Sequence, residues 1–280
     1  MNLNNESSSA NMKTPEASQP ELTLKKEIQM ISDDVQSKGF TVIGNQEFVL
    51  SPSMQEDLSA LQESFENLEQ DPFMDTETVW RLRRFGRFGI FTGLESDEDP
   101  DAISIKPIEY APYQSKYLED GLSEFNVVPR AFPELEAATY ENACVRALIK
   151  ELFAAIPQEK KDGTPWEAKV HQVRVLSFAD KNGKATPEGI HEDGHDFFAI
   201  VMMQRKNIEG AMSRIWSKDQ QENPLFEQTL AEPLDTLLVH DRKVLHDATA
   251  MEPAENIGYR DVLIISMDKN PEISTDLIQK

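Results

Sequence analysis

Pro187-Glu188-Gly189-Ile190-His191-Glu192-Asp193-Gly194-His195 is the stretch on which the reading of this chain turns. His191 and Asp193 are two residues apart. Side chains on extended backbone alternate between faces, so both point to one side. An imidazole and a carboxylate on one face are ligands for a divalent metal ion. An apolar run, Phe197–Met203, follows at once and places the triplet at the mouth of a strand. The competing reading is a surface turn, because the chain is acidic and Asp193-Gly194 is turn chemistry.

Later residues tip the balance. His246 follows Lys243-Val244-Leu245, and Arg260 comes fourteen positions after it, just before the apolar run Val262-Leu263-Ile264-Ile265. Two imidazoles and one carboxylate with open positions suit non-haem iron(II). A guanidinium nearby is a fork for a carboxylate co-substrate. Arg260 also admits a plainer reading, a strand-end partner of Asp261. His195 continues the alternation 191, 193, 195; as a fourth ligand it would favour zinc in a closed tetrahedral site. His240 reads as structural, and Asp196 and Asp241 as possible acceptors for ligand imidazoles.

The bulk numbers bound the function. The 280 residues suffice for one large domain or two small ones. A net charge of -22, from 28 basic and 50 acidic residues, repels nucleic acid and anionic membrane. Cys144 is the single cysteine, which precludes an intrachain disulfide and fits a buried thiol. No apolar run nears the roughly 20 residues that span a bilayer, and the N-terminus lacks a signal pattern. A cytoplasmic protein is expected.

Residues 1–20 are rich in Ser, Asn and Pro and are expected to be a disordered tail. Residues 21–280 are expected to form a single domain, with a helical half over 21–160 and the main strands over 168–270. Leu24, Ile28, Ile31 and Val35 recur at helical spacing up to Gly39, and Phe40–Ile43 reads as a strand. Ser51 and Pro52 open a helix carrying Met54, Leu58, Leu61, Phe65 and Leu68 on one face. Residues 79–92 read as extended, 94–101 as an acidic loop and 134–156 as a third helix. Short β-branched or aromatic runs then follow, separated by turn signals such as Lys181-Asn182-Gly183. The fold class is α+β, helices on an antiparallel jelly roll.

With these residues in place, the chain resembles the Fe(II)/2-oxoglutarate-dependent dioxygenases, and within them the branch of the L-isoleucine 4-hydroxylases. The likeness runs from about residue 79 to 268. Its pieces are His171-Gln172-Val173-Arg174, Pro187–Gly194, Lys243-Val244-Leu245-His246-Asp247-Ala248-Thr249 and Tyr259–Leu263, with Gln114-Ser115 and Asp120-Gly121 as a weaker fifth. The resemblance implies a double-stranded β-helix core with His191, Asp193 and His246 as catalytic iron ligands. It implies Arg260, with Thr249 in the adjoining piece, as the binding site for 2-oxoglutarate, with O2 as second co-substrate and ascorbate as a helpful reductant. It implies oxidative decarboxylation coupled to C–H hydroxylation of a small substrate, most closely a free L-amino acid. Asp193 stands where halogenating relatives carry a small residue, so halogenation is not expected. Ring closure, desaturation or sulfoxidation of another metabolite would use the same centre. A zinc or binding protein on a jelly roll, without oxygenase activity, is the further alternative.

The substrate side rests on charge. Arg81, Arg83, Arg84 and Arg87 sit among Trp80, Phe85, Phe88 and Phe91. Arg83, Arg84 and Arg174 are candidates for a substrate carboxylate. The competing reading is a solvated face that offsets the acidic loop. Parity also limits Arg174: if His171 and Val173 face inward, Arg174 faces outward.

Overall fold

A computed structural model describes residues 21–74, 80–93, 102–116 and 128–279. The expected tail over 1–20, the acidic loop over 94–101 and Asp120-Gly121 lie outside the described residues. In chain order the elements begin with β1 (Leu22–Leu24), α1 (Ile28–Lys38), β2 (Phe40–Ile43), β3 (Phe48–Leu50), α2 (Pro52–Glu63) and β4 (Glu69–Gln70). Next come β5 (Arg81–Thr92), β6 (Ile103–Pro107), α3 (Ala137–Glu141), α4 (Ala143–Ala154) and β7 (Trp166–Phe178). The remainder is all strand: β8 (Phe197–Lys206), β9 (Ile208–Gly210), β10 (Ser213–Trp216), β11 (Phe226–Gln228), β12 (Thr236–Val239), β13 (Leu245–Ala248), β14 (Met251–Pro253) and β15 (Ile257–Lys269).

The helices form where caps and apolar spacing coincide. Ser51 Oγ accepts the Met54 amide at the head of α2, with Pro52 at its first position. Gly39 closes α1 at φ 86°, and a Cβ there would lie 2.8 Å from Val244 Cγ1. The single helix expected over 134–156 is two helices. Asn142 breaks them, because its extended backbone lets Oδ1 accept the amides of Cys144 and Val145 and so start α4. Leu24 belongs to β1 rather than to the first helix.

The large sheet runs β2-β12-β8-β15-β7-β5-β4, with β6 also on β5. It thus draws strands from both halves of the chain, so the expected division into a helical and a strand half is not a layer boundary. Facing it are the small sheet β11-β10-β13 and the pair β14-β9. All the strand pairings named here are antiparallel.

Strict alternation gives the large sheet two different faces. Phe88, Ile90, Ala168, Val170, Phe197, Val201, Leu263 and Ile265 pack with Ile31, Met54, Leu61, Leu148 and Leu152 of the helices. Val173, Val175, Phe198, Met202 and Val262 pack inward with Ile215 and Val244 of the opposing layer. Burying a Leu or Phe side chain stabilises by about 1.5–3 kcal/mol, so both faces are strongly held to their parity. Among the described residues, no helix is long and apolar enough to cross a membrane.

A candidate metal and co-substrate site

Between the two layers lies a cavity of about 870 Å³, counting its open mouth. Its walls come from the inner faces of β5, β7, β8 and β15, from β13, and from the loop over 185–193. His191 and His246 are joined by reciprocal backbone bonds: His191 N–H donates to His246 O at 3.0 Å, and His246 N–H to His191 O at 2.8 Å. The ring of His191 is oriented by Gly189, whose carbonyl accepts from Nδ1 at 2.8 Å. A carbonyl can only accept, so Nδ1 carries the proton and Nε2 presents its lone pair.

That lone pair faces Asp193. His191 Nε2 lies 3.3 Å from Asp193 Oδ1, and His246 Nε2 lies 3.5 Å from Oδ2. One ligand atom from each of the three residues falls within 4.8 Å of the others. Burial opposes charge on His191, but Asp193 overrides it and holds the pKa of the ring up at about 9, so a metal ion would take the Nε2 lone pair in place of a second proton. Burial likewise opposes charge on Asp193, but the two imidazoles hold its carboxyl well below the usual range. Two imidazole nitrogens and a carboxylate converging with nothing between them fit a divalent ion.

The loop that carries His191 and Asp193 is held from below. Asp241 is fully buried, and its carboxylate accepts the amides of Asp193 at 3.2 Å, Gly194 at 2.7 Å and His195 at 2.8 Å. This corrects the expected role of Asp241, because its nearer oxygen is 3.9 Å from His246 Nδ1, too far for a hydrogen bond. Asp196 pairs with Lys116 and accepts the Lys269 amide at 2.9 Å. Glu192 points away from its neighbours and is held by Lys218 and Arg242.

His195 leaves the alternation. Gly194 adopts φ 81°, which turns the chain and buries the His195 ring. Its Nδ1 lies 2.8 Å from Asp268 Oδ2 and its Nε2 2.9 Å from the Tyr113 hydroxyl. Both nitrogens are engaged, so the fourth-ligand reading and the closed zinc site it implied do not hold. Burial opposes the charged ring, but Asp268 overrides it and lifts its pKa to about 10.

Arg260 reaches the cavity from the inner face of β15 and is 3% exposed. Among the described residues, its Nε and Nη2 have no hydrogen-bond partner. Burial, then Arg205 and Arg81, pull its pKa down to about 9. A buried cation with two N–H groups unspent is a seat for an anion. Thr249 does not line the cavity; its hydroxyl accepts the Met212 amide at 3.0 Å.

The arginines expected on the substrate side divide by parity. Arg83 faces inward and lines the cavity. Arg84 faces the helices, donating to Asn67 O and Glu134 O and pairing with Glu69 at 2.9 Å. Arg174 also faces outward. It forks onto Asp261 at 2.7 and 2.8 Å, meets Glu66 at 2.9 Å and lies over the Tyr259 ring. Neither Arg84 nor Arg174 touches the cavity. Sequence reasoning missed Tyr113, Arg130 and His171 as cavity residues. Only His171 carried a signal, inside one of the pieces of resemblance.

The comparisons with known proteins agree with this geometry. A family model described as 2OG-Fe dioxygenase matches residues 62–266. L-isoleucine-4-hydroxylase of Bacillus thuringiensis is 25% identical over 238 residues, covering 83% of this chain and 92% of the relative. The bifunctional enzyme flvA of Aspergillus flavus is 23% identical over 242 residues, 79% of this chain; the match spans only 28% of that longer protein. The crystal structure of IDO from Bacillus thuringiensis superposes with a TM-score of 0.68 at 19% identity, over 87% of this chain and 99% of that one. The antiparallel core with flanking helices is therefore the double-stranded β-helix of these oxygenases. By the match over most of its length, the chain belongs to the 2OG-Fe dioxygenase family, enzymes that work with Fe(II), 2-oxoglutarate and O2.

Proposed function

We propose that this dioxygenase hydroxylates a C–H bond of a small free L-amino acid, with iron(II) held by His191, Asp193 and His246 and 2-oxoglutarate held by Arg260. One observation carries the reading. The three ligand atoms within 4.8 Å of one another open onto the same cavity as the two unpartnered N–H groups of Arg260. The amino-acid substrate is supported by the relative that spans nearly the whole chain, an L-isoleucine-4-hydroxylase.

Iron(II) with bound 2-oxoglutarate supplies the activation of O2, and the protein supplies position and charge. Gly189 fixes the His191 tautomer, and Asp241 fixes the turn that carries Asp193. Arg260 neutralises the far carboxylate of the co-substrate in a site remote from water. Phe198, Ile200, Val262 and Ile264 give the cavity an apolar wall for an aliphatic chain. The balance is one O2 shared between succinate and the hydroxylated product, with CO2 released.

The test is an aerobic reaction with Fe(II), ascorbate, 2-oxoglutarate and a panel of free L-amino acids, read by mass spectrometry. Succinate together with an amino acid one oxygen heavier is the expected result. Succinate without a modified amino acid would overturn the substrate. No succinate from protein that binds iron and 2-oxoglutarate would overturn the reaction.

A further inference from the structure

Read across the large sheet, the inner face has a repeating order. Arg260 on β15 is in register with Val175 on β7, which is in register with Arg81 on β5. In the next inward row, Val262 is opposite Val173, and Val173 is opposite Arg83. A cation on β15 and cations on β5 thus flank a valine strip on β7. Arg260 occupies one side and has the co-substrate as its proposed partner. Arg83, which the sequence offers as a candidate for a substrate carboxylate, occupies the other side.

The surroundings of Arg83 are those of a built anion site. Its side chain is nine-tenths buried, and its Nε donates no hydrogen bond among the described residues. Asp71, its nearest ion-pair partner, stands 3.8 Å away. Asp71 Oδ1 is instead taken by the Phe73 amide at 3.0 Å. The guanidinium lies 4.7 Å over the Phe132 ring, which fixes its plane. In the row beyond, His171 is opposite Phe85, stacks on it at 4.6 Å, and carries an Nδ1 without a partner. Both residues line the same cavity as the metal-ligand atoms. The buried Arg83 N–H carries an energetic penalty that an anionic ligand removes, and His171 can add a second donor from Nδ1 in its Nδ1-protonated tautomer.

We propose that Arg83, with His171 beside it, binds the substrate's carboxylate, so that the enzyme recognises small aliphatic carboxylic acids by that group and lays their carbon chain over Val262 and Ile264. This rests on the reading that the chain is an amino-acid oxygenase and deepens it. The carboxylate is the group that Arg83 reads. The valine strip keeps this carboxylate apart from that of the co-substrate, so the two anions do not exchange seats.

The experiment uses calorimetry on protein loaded with iron(II) and 2-oxoglutarate without oxygen. The probes are L-isoleucine, its methyl ester and 3-methylpentanoate, with the other free L-amino acids and their esters as a screen. The two carboxylates are expected to bind and the ester to bind at least about 10-fold more weakly. Arg83→Gln is expected to weaken both carboxylates by about 10- to 100-fold. Arg83→Lys is expected to recover part of that loss. Retained affinity of Arg83→Gln for 2-oxoglutarate shows that it has folded. His171→Phe keeps the stack on Phe85 and is expected to lose about 2- to 10-fold.

An ester that binds as tightly as its acid overturns the proposal on the parent protein alone. So does an Arg83→Gln protein that holds 2-oxoglutarate and binds the carboxylates as the parent does, or a screen in which no carboxylate binds. Loss of the broader reading looks different, because the parent would then fail to bind iron(II) or 2-oxoglutarate.

Discussion

His191 and His195 lie four residues apart, each with an aspartate at hand, and the fold gives them opposite fates. His191 gives its Nδ1 proton to a backbone carbonyl and turns Nε2 toward Asp193 and the cavity. His195 gives Nδ1 to Asp268 and Nε2 to Tyr113, and is sealed from solvent. One turns a ring nitrogen to the cavity, the other closes a buried ion pair. Residue type does not separate them. What separates them is the partner of the second nitrogen, and that partner follows from the left-handed turn at Gly194.

The contrast is sharpest in paired alanine variants. His191→Ala is expected to lose more than about 100-fold in iron(II) affinity, beyond what losing an outer partner costs. His195→Ala is expected to bind one iron per chain yet lose about 1–3 kcal/mol of stability, because Asp268 loses one of its two cationic partners and keeps Lys169 at 3.0 Å. Metal analysis with thermal melts reads both, and equal iron loss in the two variants would erase the distinction. A second pair moves from imidazole to guanidinium. Arg260→Gln is expected to weaken 2-oxoglutarate by about 10- to 100-fold. Arg84→Gln, which faces the helices, is expected to change it by less than about twofold. Titration with the co-substrate decides, and similar losses in both would mean that parity does not sort these arginines.

Asp241 tests whether the turn itself matters. Asp241→Ala strips three amides of their acceptor and is expected to lower iron(II) affinity by about 10-fold, whereas Asp241→Asn keeps one oxygen and most of the affinity. Competition against a chelator measures this, and an unchanged Asp241→Ala would show that the loop holds itself.

A third histidine is read out by pH rather than by metal. Burial, then Lys160 and Lys243, pull the His240 pKa down to about 4. Its folded value lies below its ordinary 6.5, so the unfolded chain binds the extra proton. The stability from the neutral ring is therefore present above pH 6.5 and lost as pH falls through 4. Denaturant melts from pH 7.5 to 4 are expected to show a loss on the order of 1–3 kcal/mol that His240→Gln lacks. An identical acid slope in both proteins would assign that loss elsewhere.

The triplet around His191, His246 and the position of Arg260 were legible because each depends on local spacing and period-two alternation. Arg83 and Arg84 were not separable, since which parity faces inward depends on how β5 registers with β7, a long-range fact. Position 195 stays open in the sequence because alternation runs through Gly194, and only its φ of 81° shows that the backbone turns there. Asp241 was placed near the right group for the wrong bond, and no spacing rule tells amides from imidazoles as donors. The helix over 134–156 was legible in its apolar face, whereas its break at Asn142 depends on a capping bond that periodicity does not encode.

The two-faced alternation of β5, β7 and β15 also limits how such an enzyme can diversify. Inserting or deleting one residue in any of these strands would exchange its helix-facing and cavity-facing sets and turn Arg84, Arg174 or Asp261 toward the reaction. Single substitutions carry no such penalty. Lineages descended from this architecture should therefore explore new substrates by changing side chains within strands of fixed length, and keep their length variation for the connections between them.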